Sequence, residues 1–563
     1  MIRLFQRHSK RNVFSLDGMW KFKTDPERIG MCEKWFQAFP EDSTDMVVPS
    51  CWNNELGLYD YEGMAWYSTT FESESNILNL IFNAVTGQAE VYLDGVHLGG
   101  HYGGWTGFNF VVKDLSPGKH TLVIAIDNTH NDIDTIPLAK VDWYHYGGIP
   151  RSVEVAELKD VWIKNYRIDY QLDDSLKNAS IILNVALEGL TPGIHNRTLN
   201  IYINDEKLFT LPVAVNGLTQ VPAETVTMKN VKLWDIGKPN LYHVKFEISE
   251  DDVVDRIGFR QIKAEDRKIF LNGREIYLKG VNRHEDHPDW GFAFPFKLMK
   301  KDMDIIKQMG CNAIRGSHYP NSELFLDYCD QDGMVFWEEI PMWQYFERHF
   351  NNPVVVDRGL MMLEEMVTRD YHHPSIIIWS VHNEVDTSIP VCYEMTKSFV
   401  EKVRSIDSTR LISYASDKPL RDICFSLVDI VSVNKYYGWY ENTLEYWGTF
   451  LDELDRKLKA DGLEHLPVIM SEFGAAGIYG DCTFEAPKWT ENYQEKFLEY
   501  TLSLFSKHPM ICGSYIWQYA DIRTAKELEL GRARSFNNKG ILNEYRKPKM
   551  AYWTAKEIYE GIK

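Results

Sequence analysis

Between residues 264 and 563, short apolar runs alternate with longer stretches of helical periodicity. This alternation constrains the fold more than any other feature of the chain. The runs are EIYLKGV, NAIRGSH, GMVFWEE, SIIIWSVHNE, RLISYAS, DIVSVNKYY, PVIMSEFG and GSYIWQYA, eight in all. KLMKKDMDIIKQMG, NSELFLDYCDQDG and TENYQEKFLEYTLSLFSKH fall between them and read as helices. Repeated βα units over about 300 residues predict a closed (β/α)8 TIM barrel. In such barrels reactive side chains stand where strands end and βα loops begin, so the C-terminal ends of the runs are the places to look for chemistry.

The chain has 563 residues, too many for one core. Residues 1–155 read as β: NLIFNAV, AEVYLDGVHL and HTLVIAIDN are short segments separated by turn residues, and VYLDGVHLG predicts a hairpin turning at Asp-Gly. In residues 156–263, SIILNVALEG, RTLNIYIND and LYHVKFEISE alternate with period two, as in a small sandwich. The expected architecture is therefore multidomain β plus α/β, with the barrel at 264–563. No internal repeat or low-complexity tract interrupts it.

A net charge of −20 argues against nucleic acid or an anionic membrane as partner, and it obliges any anionic substrate to find a local cation. No apolar run approaches a membrane span, and the first residues hold no continuous apolar core, so neither anchor nor secretory leader is expected. The eight cysteines lack Cys-x-x-Cys spacing, which predicts no disulfide or zinc framework and fits a reducing cytoplasm.

At the strand ends, the fourth run places Asn383 and Glu384 directly after apolar residues, and the seventh places Glu472. One glutamate there is ordinarily a solvated rim residue. Two, at the mouths of strands four and seven, face each other across a barrel. Glycosidic bond cleavage needs such a pair, one acid to protonate the leaving oxygen and one carboxylate to attack or to activate water. The first run adds Asn282, Arg283, His284 and Glu285, the second Arg315 and His318, the sixth Asn434, Tyr436 and Tyr440, and the eighth Trp517. Trp517 reads equally as core or as a sugar platform. His284 and His287 lack metalloprotease-type spacing and are read as hydrogen-bonding groups, with no metal expected.

SLDGMWKF, GVNRHEDHP, IRGSHYP, WSVHNE and SEFG, in that order, resemble the signatures of glycoside hydrolase family 2 over nearly the whole chain. The resemblance implies a jelly-roll β-sandwich, an immunoglobulin-like β-sandwich and a catalytic TIM barrel. It implies that Glu384 is the general acid/base, that Glu472 is the nucleophile of a retaining reaction and that Asn383 holds the sugar 2-hydroxyl. No cofactor is required for catalysis in that family, and no nucleotide fingerprint is present; homo-oligomers are common in it.

NKYYGWY and DWYHYGGIPRSV further resemble the β-glucuronidase branch, in which Asp142 would reach the sugar hydroxyls. The segment SFNNKG, just past the eighth run, supplies that branch's Asn-x-Lys motif as Asn537 and Lys539. An ammonium and an amide donor suit the carboxylate of a hexuronate. The branch's arginine, four residues before the motif asparagine, is here Ala533, flanked by Arg532 and Arg534; Arg534 is taken as the substrate-binding arginine, with Arg532 open as the alternative. The short stretch PMWQYFERHFNNPVVVDRG predicts an open aglycone side. The expected substrate is a small glucuronide or an oligosaccharide, with His318, Tyr440 and Trp517 lining the pocket and Tyr436 on Glu472. The rival readings are a β-galactosidase or β-galacturonidase of the same family and, more remotely, a non-catalytic carbohydrate-binding protein.

Overall fold

The computed structural model describes residues 3–562. Its contacts divide the chain into two compact units.

The first unit comprises residues 1–129, 146–260 and 372–374. It holds two β-sandwiches. In the first, a six-stranded antiparallel sheet and a four-stranded one enclose a core that includes Trp20, Tyr67, Leu80, Phe82, Val91 and Ile124. The Asp-Gly turn forms as its sequence requires: Gln88–Leu93 pairs antiparallel with Val96–Tyr102, and Asp94 and Gly95 take φ of 51° and 78°. Positive φ at both positions matches the turn to the twist of the strands. In the second sandwich, sheets of three and four strands enclose a Val/Ile/Leu core. The strand Asn178–Gly189 buries every second side chain over most of its length, as its period-two sequence dictates.

The second unit comprises residues 130–145, 261–371 and 375–563. Eight parallel strands close its barrel: β1 (Leu278–Asn282), β2 (Ala313–Arg315), β3 (Val335–Glu339), β4 (Ile376–Asn383), β5 (Leu411–Ser416), β6 (Val431–Asn434), β7 (Val468–Phe473) and β8 (Ile511–Ile516). All eight residues of β4 are buried, because a parallel strand is covered on both faces; hence the runs are continuous rather than alternating.

Helices α1 (Phe296–Gln308), α2 (Glu323–Asp332), α3 (Glu347–Phe350), α4 (Pro353–Asp370), α5 (Pro390–Ile406), α6 (Tyr446–Ala460), α7 (Glu491–Phe505) and α8 (Met550–Gly561) complete the unit. The Thr490 side chain accepts the Tyr493 N–H and caps α7, and Gly333, at φ 66°, ends α2 in the left-handed conformation. No helix among the described residues is long and apolar enough to cross a membrane.

Two features depart from a regular alternation. The run EIYLKGV is two elements: Arg274–Ile276 pairs antiparallel with Lys268–Leu271, and only Leu278–Asn282 enters the barrel. Between β5 and β6 a single 3-10 turn, Phe425–Leu427, stands where a helix would be. The segment 130–145, which the sequence places within the first β stretch, belongs by its contacts to the barrel unit. The Tyr345 hydroxyl donates to the Thr135 carbonyl at 2.6 Å, and the Arg523 guanidinium lies 3.5 Å from the Tyr144 ring centroid.

Candidate active site

Glu384 follows the last residue of β4 with φ 52°, and Glu472 is the penultimate residue of β7. Both are buried, but in different company. Glu472 Oε1 accepts from Arg315 Nη1 and Oε2 from the Tyr436 hydroxyl, each at 2.7 Å. Among the described residues Glu384 accepts from two amides only, Asn434 Nδ2 at 2.8 Å and Gln344 Nε2 at 3.0 Å. Burial, with the nearby charges of Glu472 and Asp417, pushes the Glu384 carboxyl up to about 8 despite those two donors. A protonated carboxyl thus stands near a carboxylate paired with a guanidinium.

Arg315, at the end of β2, organises the group. Its Nη2 donates to Asn383 Oδ1 at 2.7 Å, its Nη1 to Asn282 Oδ1 at 3.1 Å, and its Nη2 and Nε span both oxygens of Glu339. Glu339 also takes the Ser380 hydroxyl at 2.6 Å and lies 2.7 Å from His318 Nδ1. Burial acts to raise the Glu339 carboxyl, but Arg315 and His318 outweigh it and hold it low. With Nδ1 engaged, His318 keeps Nε2 for other partners, 3.9 Å from Glu472 Oε1. His318 Nε2 and Asn383 Nδ2 are buried and have no hydrogen-bond partner among the described residues. Buried polar atoms seek partners, and a polyhydroxylated ligand supplies them. Trp517, only 3% exposed, stacks on His318 with centroids 5.1 Å apart and packs edge-on to His284.

A second cluster adjoins Tyr436. The Lys539 ammonium, in a residue 1% exposed, donates to the Tyr440 hydroxyl at 2.6 Å and lies 4.7, 5.6 and 5.8 Å from the ring centroids of Tyr440, Tyr436 and Trp439. No ion pair among the described residues joins Lys539 to a carboxylate. Asp142 accepts from Arg532 Nη2 at 2.8 Å and from Asn537 Nδ2 at 2.6 Å, while Asn537 Oδ1 takes the Lys539 N–H at 3.2 Å. Burial would raise the Tyr440 phenol; Lys539 and Arg532 outweigh it and lower it. The other carboxylates of both clusters are paired with cations of the chain: Glu339 and Glu472 with Arg315, Asp142 with Arg532, Asp417 with Lys418. That donor set leaves little free negative charge for a metal ion.

Residues 13–159 match the family model described as "Glycosyl hydrolases family 2, sugar binding domain", residues 161–260 that of "Glycosyl hydrolases family 2", and residues 262–563 that of "Glycosyl hydrolases family 2, TIM barrel domain". The chain belongs to glycosyl hydrolases family 2. It is a glycoside hydrolase. Among its relatives in family 2, a β-glucuronidase of Paenibacillus borealis is 26% identical over 96% of both proteins. The crystal structure of a family 2 β-galacturonidase from Eisenbergiella tayi bound to galacturonate superposes with a TM-score of 0.90 at 32% identity, covering 100% of each chain. A Ruminococcus gnavus β-glucuronidase gives 0.86 at 28% identity, covering 100% of this chain and 99% of the other.

In this family 2 chain, Asn383, Glu384, Asn434, Tyr436, Glu472, His318 and Trp517 form one group, and Asp142, Tyr440, Asn537 and Lys539 the adjoining one. Arg534 is not brought to either. Its guanidinium, about half exposed, donates to Glu544 Oε1 at 2.8 Å, whereas Arg532, the alternative, is the arginine on Asp142. The pairing decides this: Glu544 captures the charge of Arg534, and the backbone at Arg534 and Ser535 is left-handed, with φ of 59° and 62°.

Sequence reasoning missed Glu339 and Gln344. Glu339 ends the run GMVFWEE, and inspecting that strand end like the others would have found it. Gln344 lies in the loop after β3, and nothing in its neighbourhood announces it.

Proposed function

We propose that the protein is a retaining exo-β-glucuronidase that releases glucuronate from the non-reducing end of β-D-glucuronides. The observation that carries this reading is Lys539, a buried ammonium with three aromatic rings and one hydroxyl around it and no carboxylate partner among the described residues. Cation–π contacts make such a site tolerable, but a buried charge is best matched by an opposite one. A hexuronate carries its carboxylate on the carbon that distinguishes it from a neutral hexose. Tyr436 links the two clusters, because its ring faces Lys539 while its hydroxyl holds Glu472. A neutral sugar would leave the ammonium desolvated and unpaired, which turns one charge into specificity.

In this reading Glu384 gives its proton to the glycosidic oxygen as Glu472 attacks the anomeric carbon. The C–O bond to the aglycone breaks and a glycosyl ester forms on Glu472. Glu384, now ionised, takes a proton from water, which attacks the same carbon and releases the sugar with configuration retained. Asn383 and His318 offer their unpartnered nitrogens to ring hydroxyls, and Asp142, fixed by Arg532 and Asn537, accepts from others.

A second reading, a β-galacturonidase, is favoured by the Eisenbergiella tayi neighbour: a galacturonide differs at the 4-hydroxyl and carries the same carboxylate. The same account takes the chain as three domains with boundaries near residues 155 and 263, which the extents of the three family matches support. It takes the enzyme as a cytoplasmic homo-oligomer that uses neither cofactor nor nucleic acid, on the grounds of cysteine use, net charge and family resemblance. Turnover of nitrophenyl β-D-glucuronide, β-D-galacturonide and β-D-galactoside, with the anomer of the first-formed sugar followed by NMR, tests the reading. The glucuronide should be preferred and the β-anomer released first; preference for the galactoside would remove the role given to Lys539.

A further inference from the structure

Lys549 immediately precedes α8 and takes no part in the chemistry above, yet it is 1% exposed and its ammonium is fully engaged. It donates to the Gly477 carbonyl at 2.6 Å, to Asp521 Oδ1 at 2.8 Å and to the Asn538 carbonyl at 3.1 Å. Asn538 stands between Asn537 and Lys539. Its side-chain amide reaches the other oxygen of Asp521 at 3.3 Å. Gln494 of α7 donates its amide to the carbonyls of Ala475, Gly540 and Lys539, at 2.9, 3.0 and 3.3 Å. The Gly477 N–H closes the figure on the Asn538 carbonyl at 3.0 Å. Ala475 and Gly477 belong to the loop that leaves β7 just after Glu472, and Asp521 to the one that leaves β8.

A buried ion pair is a poor way to gain stability, because apolar residues of the same volume usually serve as well or better. Here burial depresses the Lys549 ammonium and pushes the Asp521 carboxyl up to about 6, the mark of an arrangement held against its desolvation cost. What these groups have in common is their target, the segment around Lys539: Lys549 and Gln494 hold its carbonyls, and Asp521 holds the Asn538 side chain. The segment 537–540 has almost no regular structure of its own, with only Asn537 in a two-residue strand, so it is held by bonds from elsewhere: the backbone N–H groups of Gln518 and Gly477 reach the carbonyls of Lys539 and Asn538, each at 3.0 Å, and the side chains above add to them.

We propose that Lys549, Asp521 and Gln494 are positioning residues that lock the Asn537–Lys539 segment to the loop following the nucleophile, and so set where a uronate carboxylate is held relative to Glu472. The inference rests on the uronate reading of Lys539. If it holds, loosening the lock costs activity chiefly through Lys539, with Asn537 and its bond to Asp142 as the lesser route.

A double-mutant cycle tests this on nitrophenyl β-D-glucuronide, with wild type, Lys549→Met, Lys539→Ala and the double variant. Lys549→Met alone should lower kcat/KM by ~10- to 100-fold, the usual loss from a misplaced binding group. In the Lys539→Ala background it should lower kcat/KM by at most about 3-fold, the part carried by Asn537, since residues acting through one another are non-additive. Losses that multiply would assign Lys549 to general stability and overturn the proposal. Should Lys549→Met fail to fold, Gln494→Leu, which removes no charge, runs the same cycle with the same two outcomes. A wild type that prefers the neutral galactoside overturns the uronate reading itself; one that prefers the uronide while the losses multiply overturns only the lock.

Discussion

Glu384 and Glu472 have the same side chain and opposite partners, and the roles proposed for them follow from that. Glu384 has two neutral amides and titrates at about 8, so kcat/KM should fall above that pH as its proton is lost. A pH–rate profile of the wild type checks this, and Glu384→Gln should lower kcat by roughly 10²–10⁴-fold on an alkyl glucuronide, whose leaving group needs the acid. Asn434 donates to Glu384 and so holds its titration down; Asn434→Ala should move the alkaline limb to higher pH. On the other carboxylate, Tyr436→Phe removes a hydrogen bond to a charged group, worth about 1.5–3 kcal/mol, or roughly 10- to 100-fold in kcat. The rate of glycosyl-enzyme formation in a stopped-flow experiment reads that loss directly.

At the level of elements, loops do the joining, and they need glycine for close approach. A Cβ on Gly540 would lie 2.2 Å from the Asp521 nitrogen, and one on Gly474 would lie 2.0 Å from the Trp517 carbonyl oxygen. Backbone atoms cannot yield as a flexible side chain would. Gly540→Ala should therefore cost about 1–3 kcal/mol in a thermal melt and, through its neighbour Lys539, reduce uronide turnover as well. The barrel strands were legible because burial on both faces leaves an unbroken apolar run, and a strand end is where such a run stops; Glu384 and Glu472 could be found that way. The break of EIYLKGV at Tyr277 was not legible, since its two halves are equally apolar and differ only in the partner strand each finds. The missing helix between β5 and β6 was equally hidden, because LRDICFSLVD has enough apolar residues for one. Arg532 and Arg534 flank one alanine, and only the distant Glu544 and Asp142 separate them.

Across the whole molecule, the proposed acid/base residue bears on stability. The Glu384 carboxyl titrates above its unfolded value, so between about pH 4.5 and 8 the folded state binds more protons than the unfolded one, and stability declines as pH rises through that window. Glu384→Gln abolishes this titration. Its melting temperature should match the wild type near pH 4.5, exceed it progressively up to about pH 8 and keep that lead above it; an equal difference at every pH would contradict the electrostatic picture of the site. The segment 130–145 carries Asp142 and reads in sequence as part of a β stretch, yet it has no regular structure and groups with the barrel. Periodicity detects strands and helices, and a chain without either leaves no periodic trace of where it docks.

In the proposed function one buried ammonium selects a uronic acid. The decisive quantity is kcat/KM for nitrophenyl β-D-glucuronide and nitrophenyl β-D-glucoside, measured on wild type and on Lys539→Ala. An unpaired or missing charge partner in a buried site is worth on the order of 3–5 kcal/mol, so the glucuronide-to-glucoside preference should collapse by roughly 10²–10³-fold or more, chiefly through loss of glucuronide turnover. A preference that survives the substitution, with both substrates falling alike, would contradict it.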